Sequence, residues 1–268
     1  MIGVVFLAVV GSAVSVNTSK KIFQQKGDIT EVEKITLHSD ISNVVLAVAE
    51  TNMSFEYTGE KSLLGEPEIE IDYHSGHAFI KLKAIPKNWM KILPATRKKG
   101  TLRLNIPSKL LEEIHVTTGQ GNIDVESMDS INQLTLSSNV GNVKIDSFTG
   151  GSLAITLKNG SISLGEINSE VTIKNRTGNL NSLTFAALKG ENNINLSNGN
   201  VKITLPTEVL YPDLGLNIHT KNGKIKTVNE SLSGVAISKQ NAGQKIITDS
   251  DAKNQLNIAV LVGNIEVY

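Results

Sequence analysis

Residues 134–145 read LTLSSNVGNVKI, and this stretch decides the fold because it holds one whole unit of a repeat. Apolar and polar side chains alternate on both sides of the turn SSNVGN, which predicts two short strands joined by a tight corner. Strand alternation should expose Thr135 and Lys144 to solvent. The same alternation points four aliphatic side chains inward: Leu134, Leu136, Val143 and Ile145.

The Gly of this unit, followed by a small polar residue and alternating apolar ones, recurs about every twenty residues. Such a period predicts an all-β protein, a β-solenoid of about 20-residue coils that bury their apolar sides by stacking. Gly provides the positive φ that each corner needs, and the neighbouring Asn can hydrogen-bond to the next coil. The predicted turn glycines are Gly121, Gly141, Gly160, Gly178, Gly199, Gly223, Gly243 and Gly263.

A leucine-rich repeat has a similar period and is the main alternative fold. The segment INQLTLSSN, which begins at Ile131, fits the signature of that repeat. The fit occurs in one unit only, and the other units place a second strand after the Gly. The sequence therefore favours the β-solenoid.

The chain before residue 111 is less regular. Period-two alternation broken by turns runs from about residue 31 to 110, and GTLRL at Gly100 lies one period before Gly121, so coils could begin here or earlier. An atypical end unit is what a solenoid needs to stop its edge from polymerising. We therefore expect four regions: residues 1–19 as a signal anchor or signal peptide, 20–30 as a linker, 31–110 as a β-rich N-terminal cap and 111–268 as regular repeats.

The N-terminal residues 2–16, IGVVFLAVVGSAVSV, are apolar or small. Fifteen residues of helix span about 22 Å, which is short of the roughly 30 Å hydrocarbon core and suits a secretory segment or a short anchor. We expect a location on the extracytoplasmic face of the cell membrane, or secretion if the segment is cleaved. The alternative is a buried apolar strand or helix.

Composition excludes several classes of function. Lys plus Arg and Asp plus Glu both number 26, so no net field draws the chain to nucleic acid, and no basic stripe interleaves with aromatics. The chain contains no Cys, which excludes disulfides, thiolate metal sites and thiol nucleophiles. No GxSxG motif is present. We expect no catalytic, cofactor-binding or metal-binding residues and no cofactor.

Two clusters of side chains are candidates for a chemical site. His74 and His77 could share a metal, but they lack a third ligand at a suitable spacing. Neighbouring carboxylates could hydrolyse a glycoside or bind calcium, although charges that alternate along strands usually form a solvated face. These carboxylates are Asp124, Glu126, Asp129 and Asp146. A polysaccharide lyase would also need clustered Arg, and the Arg residues here are dispersed at Arg97, Arg103 and Arg176.

The serial units TTGQGNIDV, SSNVGNVKI and LKNGSISL follow a strand that ends in LNIP at residues 104–107, and NGNVKITLP closes at Pro206. Together with the hydrophobic N-terminus, this arrangement resembles the bacterial "putative adhesin" domain family, which includes LiaG-like membrane-anchored proteins of Gram-positive bacteria. The resemblance implies a β-solenoid displayed outside the membrane on a short anchor, with an adhesive or envelope-associated role. It implies no catalytic residues.

Three functions follow as expectations. The first is a non-enzymatic display or adhesin-like module whose flat polar faces bind cell-envelope carbohydrate or a protein partner. The second is an envelope-stress accessory that contacts a membrane signalling protein through residues 86–99, PKNWMKILPATRKK, which hold the only Trp, Trp89. The least favoured is a polysaccharide-active enzyme that depends on Asp124 or Asp146.

Overall fold

The computed structural model describes residues 22–29, 32–50, 52–60, 67–83, 100–107, 111–129, 131–206, 214–229, 232, 234–248 and 251–268. Within these ranges the regular elements are all strands, which confirms the predicted fold class. They are β1 (Ile22–Asp28), β2 (Lys34–Ala49), β3 (Ser54–Glu60), β4 (Glu68–His74), β5 (His77–Lys83), β6 (Gly100–Pro107), β7 (Leu111–Gln120), β8 (Ile123–Val125), β9 (Ile131–Val140), β10 (Val143–Asn159), β11 (Ile162–Thr177), β12 (Leu180–Phe185), β13 (Glu191–Asn198), β14 (Val201–Ile203), β15 (Leu214–Asn222), β16 (Ile225–Thr227), β17 (Ser238–Gln240), β18 (Gly243–Ile247), β19 (Asn254–Val262) and β20 (Ile265–Val267).

Each coil has one strand before its corner and one after it, and both pair in parallel with the coils above and below. Leu134 of β9, for example, lies opposite Ile114 of β7 and Leu153 of β10. The leading face is the outward surface of the strands before the corners, formed by 34–39 of β2, β7, β9, 152–159 of β10, 170–177 of β11, β13, β19 and β15. The trailing face belongs to the strands after the corners, formed by 42–49 of β2, β8, 143–145 of β10, 162–164 of β11, β12, β14, β20 and β16.

The interior is a continuous stack of apolar side chains. The inward positions of the decisive unit are at most 1% exposed, whereas Thr135 is half-buried and Lys144 is exposed, as the alternation predicts. A third side closes several coils, and there the large side chains of Phe148, Ile167 and Phe185 stack in register. Since one coil buries only a few side chains, the core exists only when coils are stacked.

Glycines at the corners allow the coils to approach closely. A Cβ built on Gly178 would collide with the carbonyl oxygen of Gly160, and φ at Gly178 is +134°, a region that L side chains rarely adopt. Each corner meets the carbonyl of the preceding one in the same way. In spatial order the eight corners are Ser42, Gly121, Gly141, Gly160, Gly178, Gly199, Gly263 and Gly223, which we number coils 1 to 8.

A ladder of Asn side chains runs beside the glycines. The Oδ1 atom of Asn179 accepts from the amide of Asn200 at 2.8 Å, and Asn200 accepts from Asn264 at 2.9 Å. The same bond joins Asn43 to Asn122 and Asn122 to Asn142. Because each bond crosses from one coil to the next, the Asn residues beside the corners help to fix the register, as the sequence predicted.

The C-terminal coil is not at the end of the stack. Strand β19 pairs in parallel with β13 on one side and with β15 on the other, so coil 7 lies between coils 6 and 8. The chain therefore passes from coil 6 to the last coil, forms the antiparallel hairpin β17–β18 against β15, and returns to fill the gap. Serial stacking, in which the coils follow one another in the order of the chain, does not hold here. The position of coil 7 inside the stack explains the strong apolar pattern of its strands.

The N-terminal end is built in the same way. Strand β2 is the first regular coil, and its first half pairs with β5 and with β7. Its second half pairs with β6 and with β8. The cap thus consists of β4 and β5 on the leading side and of β1, β3 and β6 on the trailing side, with antiparallel pairs at the outer edges. Residues 31–110 contain a regular coil as well as the cap, and Gly100 lies opposite Ser42, the corner of coil 1.

Three further expectations are corrected. Residues 20–30 do not form a linker throughout, since residues 22–28 form β1, whose ladder to β3 needs only backbone groups and tolerates a polar sequence. Gly243 does not turn a coil: it begins β18 and lies against Thr220 and Lys221 of β15. The alternative prediction of a leucine-rich repeat fold is wrong, because a strand follows each corner. Residues 2–16 and 86–99 lie outside the described residues.

We expect Gly178→Ala to lower the free energy of unfolding by at least about 2 kcal/mol, because the new methyl group meets the carbonyl of Gly160 and the backbone stays at positive φ. Gly234→Ala is the matched control, since a Cβ there has no atom within 4 Å, and it should change stability by less than about 0.5 kcal/mol. Denaturant unfolding measures both. Equal losses would contradict the close approach of the corners.

Paired cysteines test the order of the coils, because the natural chain has no thiol. Asn195 lies opposite Ala259 in the neighbouring coil, about 4.8 Å away, within the range of a disulfide. Oxidation should cross-link Asn195→Cys/Ala259→Cys and leave Asn195→Cys/His219→Cys open, since His219 is two coils from Asn195, roughly 10 Å. Serial stacking predicts the opposite result, which gel mobility distinguishes.

Candidate functional site

The outward side chains of the leading face are aligned in rows along the stack. One row lies four residues before each corner and passes through all eight coils, because the parallel register is kept from strand to strand. Neighbours in the row are about 4.8 Å apart. In spatial order it consists of His38, Thr117, Ser137, Thr156, Lys174, Asn195, Ala259 and His219.

An open groove of about 1230 Å³ lies on the C-terminal half of this face. Coils 4 to 8 provide its floor, and the turn of the β17–β18 hairpin, residues 240–242, provides one wall. Because the hairpin packs antiparallel against β15, it stands at the end of the stack and closes the groove on that side.

The charges in the groove are all positive. Lys174 and Arg176 of coil 5 and Lys221 of coil 8 are exposed there, and among the residues that the structure describes no carboxylate lines it. None of the three has a salt bridge within the described part of the chain. The groove therefore combines free cations with the amides and hydroxyls of Asn195 and Ser197.

His219 lies at the closed end of the groove in a neutral form. Burial, together with the nearby charge of Lys245, lowers the pKa of His219 below its usual value. Its Nδ1 atom is buried without a hydrogen-bond partner among the described residues. A neutral imidazole can both donate and accept a hydrogen bond, so this residue adds a polar contact and no charge at neutral pH.

Part of the floor is apolar and comes from the inserted coil 7. Leu261 and Val262 are 46% and 44% exposed, and Ala259 and Ala242 lie close to them in the lining. Apolar side chains exposed beside polar ones are typical of ligand-binding sites. The groove thus offers polar, cationic and apolar contacts within a few coils.

Sequence reasoning missed this groove, although the repeat contains a signal for it. Lys174 and His219 occupy the position four residues before their corner glycines, and Arg176, Leu261 and Lys221 the position two residues before. Aligning the units by their glycines would have placed these side chains on one face. That alignment would not have shown that coil 7 lies between coils 6 and 8.

Two of the four acidic residues predicted as a cluster are paired with cations. Asp146 forms a salt bridge with Lys144 at 2.7 Å, and Glu126 one with Arg103 at 2.8 Å. Asp129 is exposed. Among the described residues, no group of three His, Asp or Glu side chains could hold a metal ion. Two of these carboxylates are therefore held in separate surface ion pairs.

The two histidines considered as metal ligands are engaged elsewhere. His74 and His77 lie opposite each other at the end of the β4–β5 hairpin. The ring of His77 stacks on Phe79 with centroids 3.9 Å apart, and its Nε2 atom hydrogen-bonds the hydroxyl of Thr36 at 2.9 Å. These contacts give His77 a structural role in the cap.

Asp124 differs from its acidic neighbours because it is partly desolvated. Burial raises the pKa of Asp124 above the ordinary value of 3.8, Lys144 opposes that shift, and Asp146 adds to it. The ionised form is therefore less favourable in the folded protein than in the unfolded chain.

Within the described ranges, the chain forms no helix with the length and hydropathy of a bilayer-spanning segment. The Trp89 segment and the hydrophobic N-terminus are outside these ranges.

A sequence model described as Toastrack DUF4097 matches residues 85–268. Ten chains of solved structure also match. They include a "putative cell adhesion protein" from Clostridium sporogenes, with 14% identity, 93% of this chain and 99% of that chain covered and a TM-score of 0.46. Another is a "putative adhesin" from Bacteroides fragilis, with 12% identity, 95% and 100% covered and a TM-score of 0.43. No curated protein matches the chain.

The raised pKa of Asp124 predicts a pH effect on stability. An acid whose pKa is raised on folding contributes stability below its unfolded pKa and loses it as the pH rises through the folded pKa. Asp124→Asn should therefore be more stable relative to the natural protein at about pH 7 than at about pH 3. Thermal unfolding at a series of pH values measures this difference.

The control is Asp129→Asn, which removes the same charge from an exposed position of the same coil. Identical pH profiles for Asp124→Asn and Asp129→Asn would contradict the argument, because desolvation would then have no effect at Asp124.

Proposed function

We propose that this chain, which belongs to the Toastrack DUF4097 family, is a non-enzymatic, adhesin-like module that binds an extended ligand on its leading face. The observation that carries the proposal is the groove across coils 4 to 8. It is long and open, and its lining combines amide, hydroxyl, cationic and apolar groups on rigid strands.

Rigid strands favour binding because little conformational freedom is lost when a ligand is held. Asn195, Ser197 and Thr156 project from paired strands at fixed spacing, so the lining is already ordered. Many weak contacts repeated along a groove can together hold a long ligand. This arrangement suits a polymer better than a small molecule.

A carbohydrate polymer matches the lining best. Sugar hydroxyl groups can exchange hydrogen bonds with the side chains of Asn195, Ser197 and Asn241, and the less polar ring faces can lie on Leu261 and Ala259. Within the described part of the chain the lining holds no carboxylates, which opposes glycoside hydrolysis in this groove, because that reaction generally uses a pair of acids.

The proposed setting is the cell envelope. The hydrophobic residues 2–16 would hold the chain at the extracytoplasmic face of the membrane, or direct its secretion if they are removed. The leading face would then be presented to envelope carbohydrate. A second proposal, contact with a membrane signalling protein, rests on the Lys-rich segment around Trp89 and makes no use of the groove.

A bulky residue placed in the groove tests the first proposal. Asn195→Trp should weaken binding to a glycan-array ligand at least tenfold, because the indole would occupy the floor between Lys174 and Ala259. Asn181→Trp is the matched control, since Asn181 is equally an exposed strand residue but lies on the trailing face. Binding of the full chain to glycans is measured on the array and then in solution.

Equal binding by Asn195→Trp and the natural protein would contradict the use of the groove. The second proposal is tested separately in cells by replacing residues 86–99 with a scrambled sequence. Signalling through that segment would then be lost while glycan binding stayed unchanged.

A further inference from the structure

We infer that the groove selects anionic glycans, polymers whose sugar chains bear carboxylate or phosphate groups. This inference rests on the proposed function and specifies its ligand. The carrying observation is that Lys174, Arg176 and Lys221 face one groove and that, among the described residues, none of the three has a carboxylate partner.

The free positive charge is local, because the whole chain has a formal net charge of zero. On the leading strands, the carboxylates of Glu170 and Glu191 lie four residues before Lys174 and Asn195, about 13 Å along the strands. Two cations on the trailing face, Lys144 and Lys202, are engaged instead. Lys144 pairs with Asp146, and the Lys202 ammonium lies 4.9 Å from the ring centroid of Tyr268.

The spacing of the cations indicates an extended ligand. Arg176 and Lys221 occupy equivalent positions in coils 5 and 8, which are three coil spacings, about 14 Å, apart. Ser197 and Leu261 occupy the same position in the two coils between them. A matching ligand presents an anionic group to each end of this row, about 14 Å apart.

The types of cation also favour this ligand. The planar guanidinium of Arg176 can bind both oxygens of a carboxylate or phosphate, and Lys174 and Lys221 act as point charges beside it. His219, which is next to the Lys221 end, can hydrogen-bond a sugar hydroxyl. A neutral glycan would leave the three cations without partners and gain nothing from them.

Single-stranded nucleic acid is also an anionic polymer, but the lining does not suit it. Binding of unpaired bases generally uses aromatic platforms, and the described lining of the groove contains no Phe, Tyr or Trp. Uncharged side chains between the cations instead match sugar rings.

The test measures binding of the full chain to four probes at fixed ionic strength. Polygalacturonate bears carboxylates, phosphomannan bears phosphates, dextran is neutral, and oligo(dT) is an anionic polymer that is not a glycan. The groove variant is Lys174→Gln/Arg176→Gln/Lys221→Gln. The control variant, Lys202→Gln/Lys224→Gln/Lys226→Gln, removes three exposed cations from the corner and trailing side of coils 6 and 8.

We expect polygalacturonate, phosphomannan or both to bind at least tenfold more tightly than dextran and oligo(dT). The groove variant should weaken that binding at least tenfold, and the control variant less than twofold, although both change the net charge by three. Thermal unfolding checks that both variants fold, and Lys174→Arg should retain binding.

Each other outcome overturns the inference in a distinct way. Dextran binding equal to that of the anionic glycans leaves the proposed carbohydrate function and removes the anionic selectivity. Oligo(dT) binding as tight as that of the glycans, or equal loss in both triple variants, shows attraction by charge alone. If no probe binds while array glycans do, the inference fails and the proposed function stands; if the array also shows no binding, both fail.

Discussion

The structure depends on the close contact between corner glycines of neighbouring coils. Where Gly178 meets the carbonyl of Gly160 there is no room for a Cβ atom, so the backbones touch directly. The amide of Gly178 donates to the carbonyl of Asn198 at 2.9 Å, and the Asn side chains beside the corners bridge the same coils. This contact sets the register, and the register aligns the apolar interior and the rows of polar side chains outside it.

The two ends of the stack show how a repeat protein limits its own growth. At each end the outermost strands are antiparallel, as in β17–β18 and β4–β5, so a further parallel coil meets an unmatched edge. The chain also returns from each end to fill an inner coil. The inner position of β19 ties distant parts of the sequence together, and it brings Leu261 between Ser197 and Lys221 in the groove.

Much of the fold could be predicted from sequence because each repeat unit contains the residues that determine its local geometry. Leu134 and Val143 point inward as alternation requires, and Asn122 bridges coils as its place beside Gly121 suggests. The order of the coils could not be predicted, since every leading strand is compatible with every other. Gly243 differs from the corner glycines in the sequence, because Ser238 stands five residues before it, where each corner glycine has an aliphatic residue. The groove depends on coil order and was therefore missed.

Hydrogen exchange resolved by residue tests the central claim, that the glycine corners join eight coils into one stack with the C-terminal coil inside it. The account predicts that the amides of Gly263 and of β19 exchange as slowly as those of β9 and β13, and that β17 exchanges faster because it is an outer edge. Rapid exchange throughout residues 254–267, with protected amides in β15, would contradict the inserted coil and the alignment of the corners.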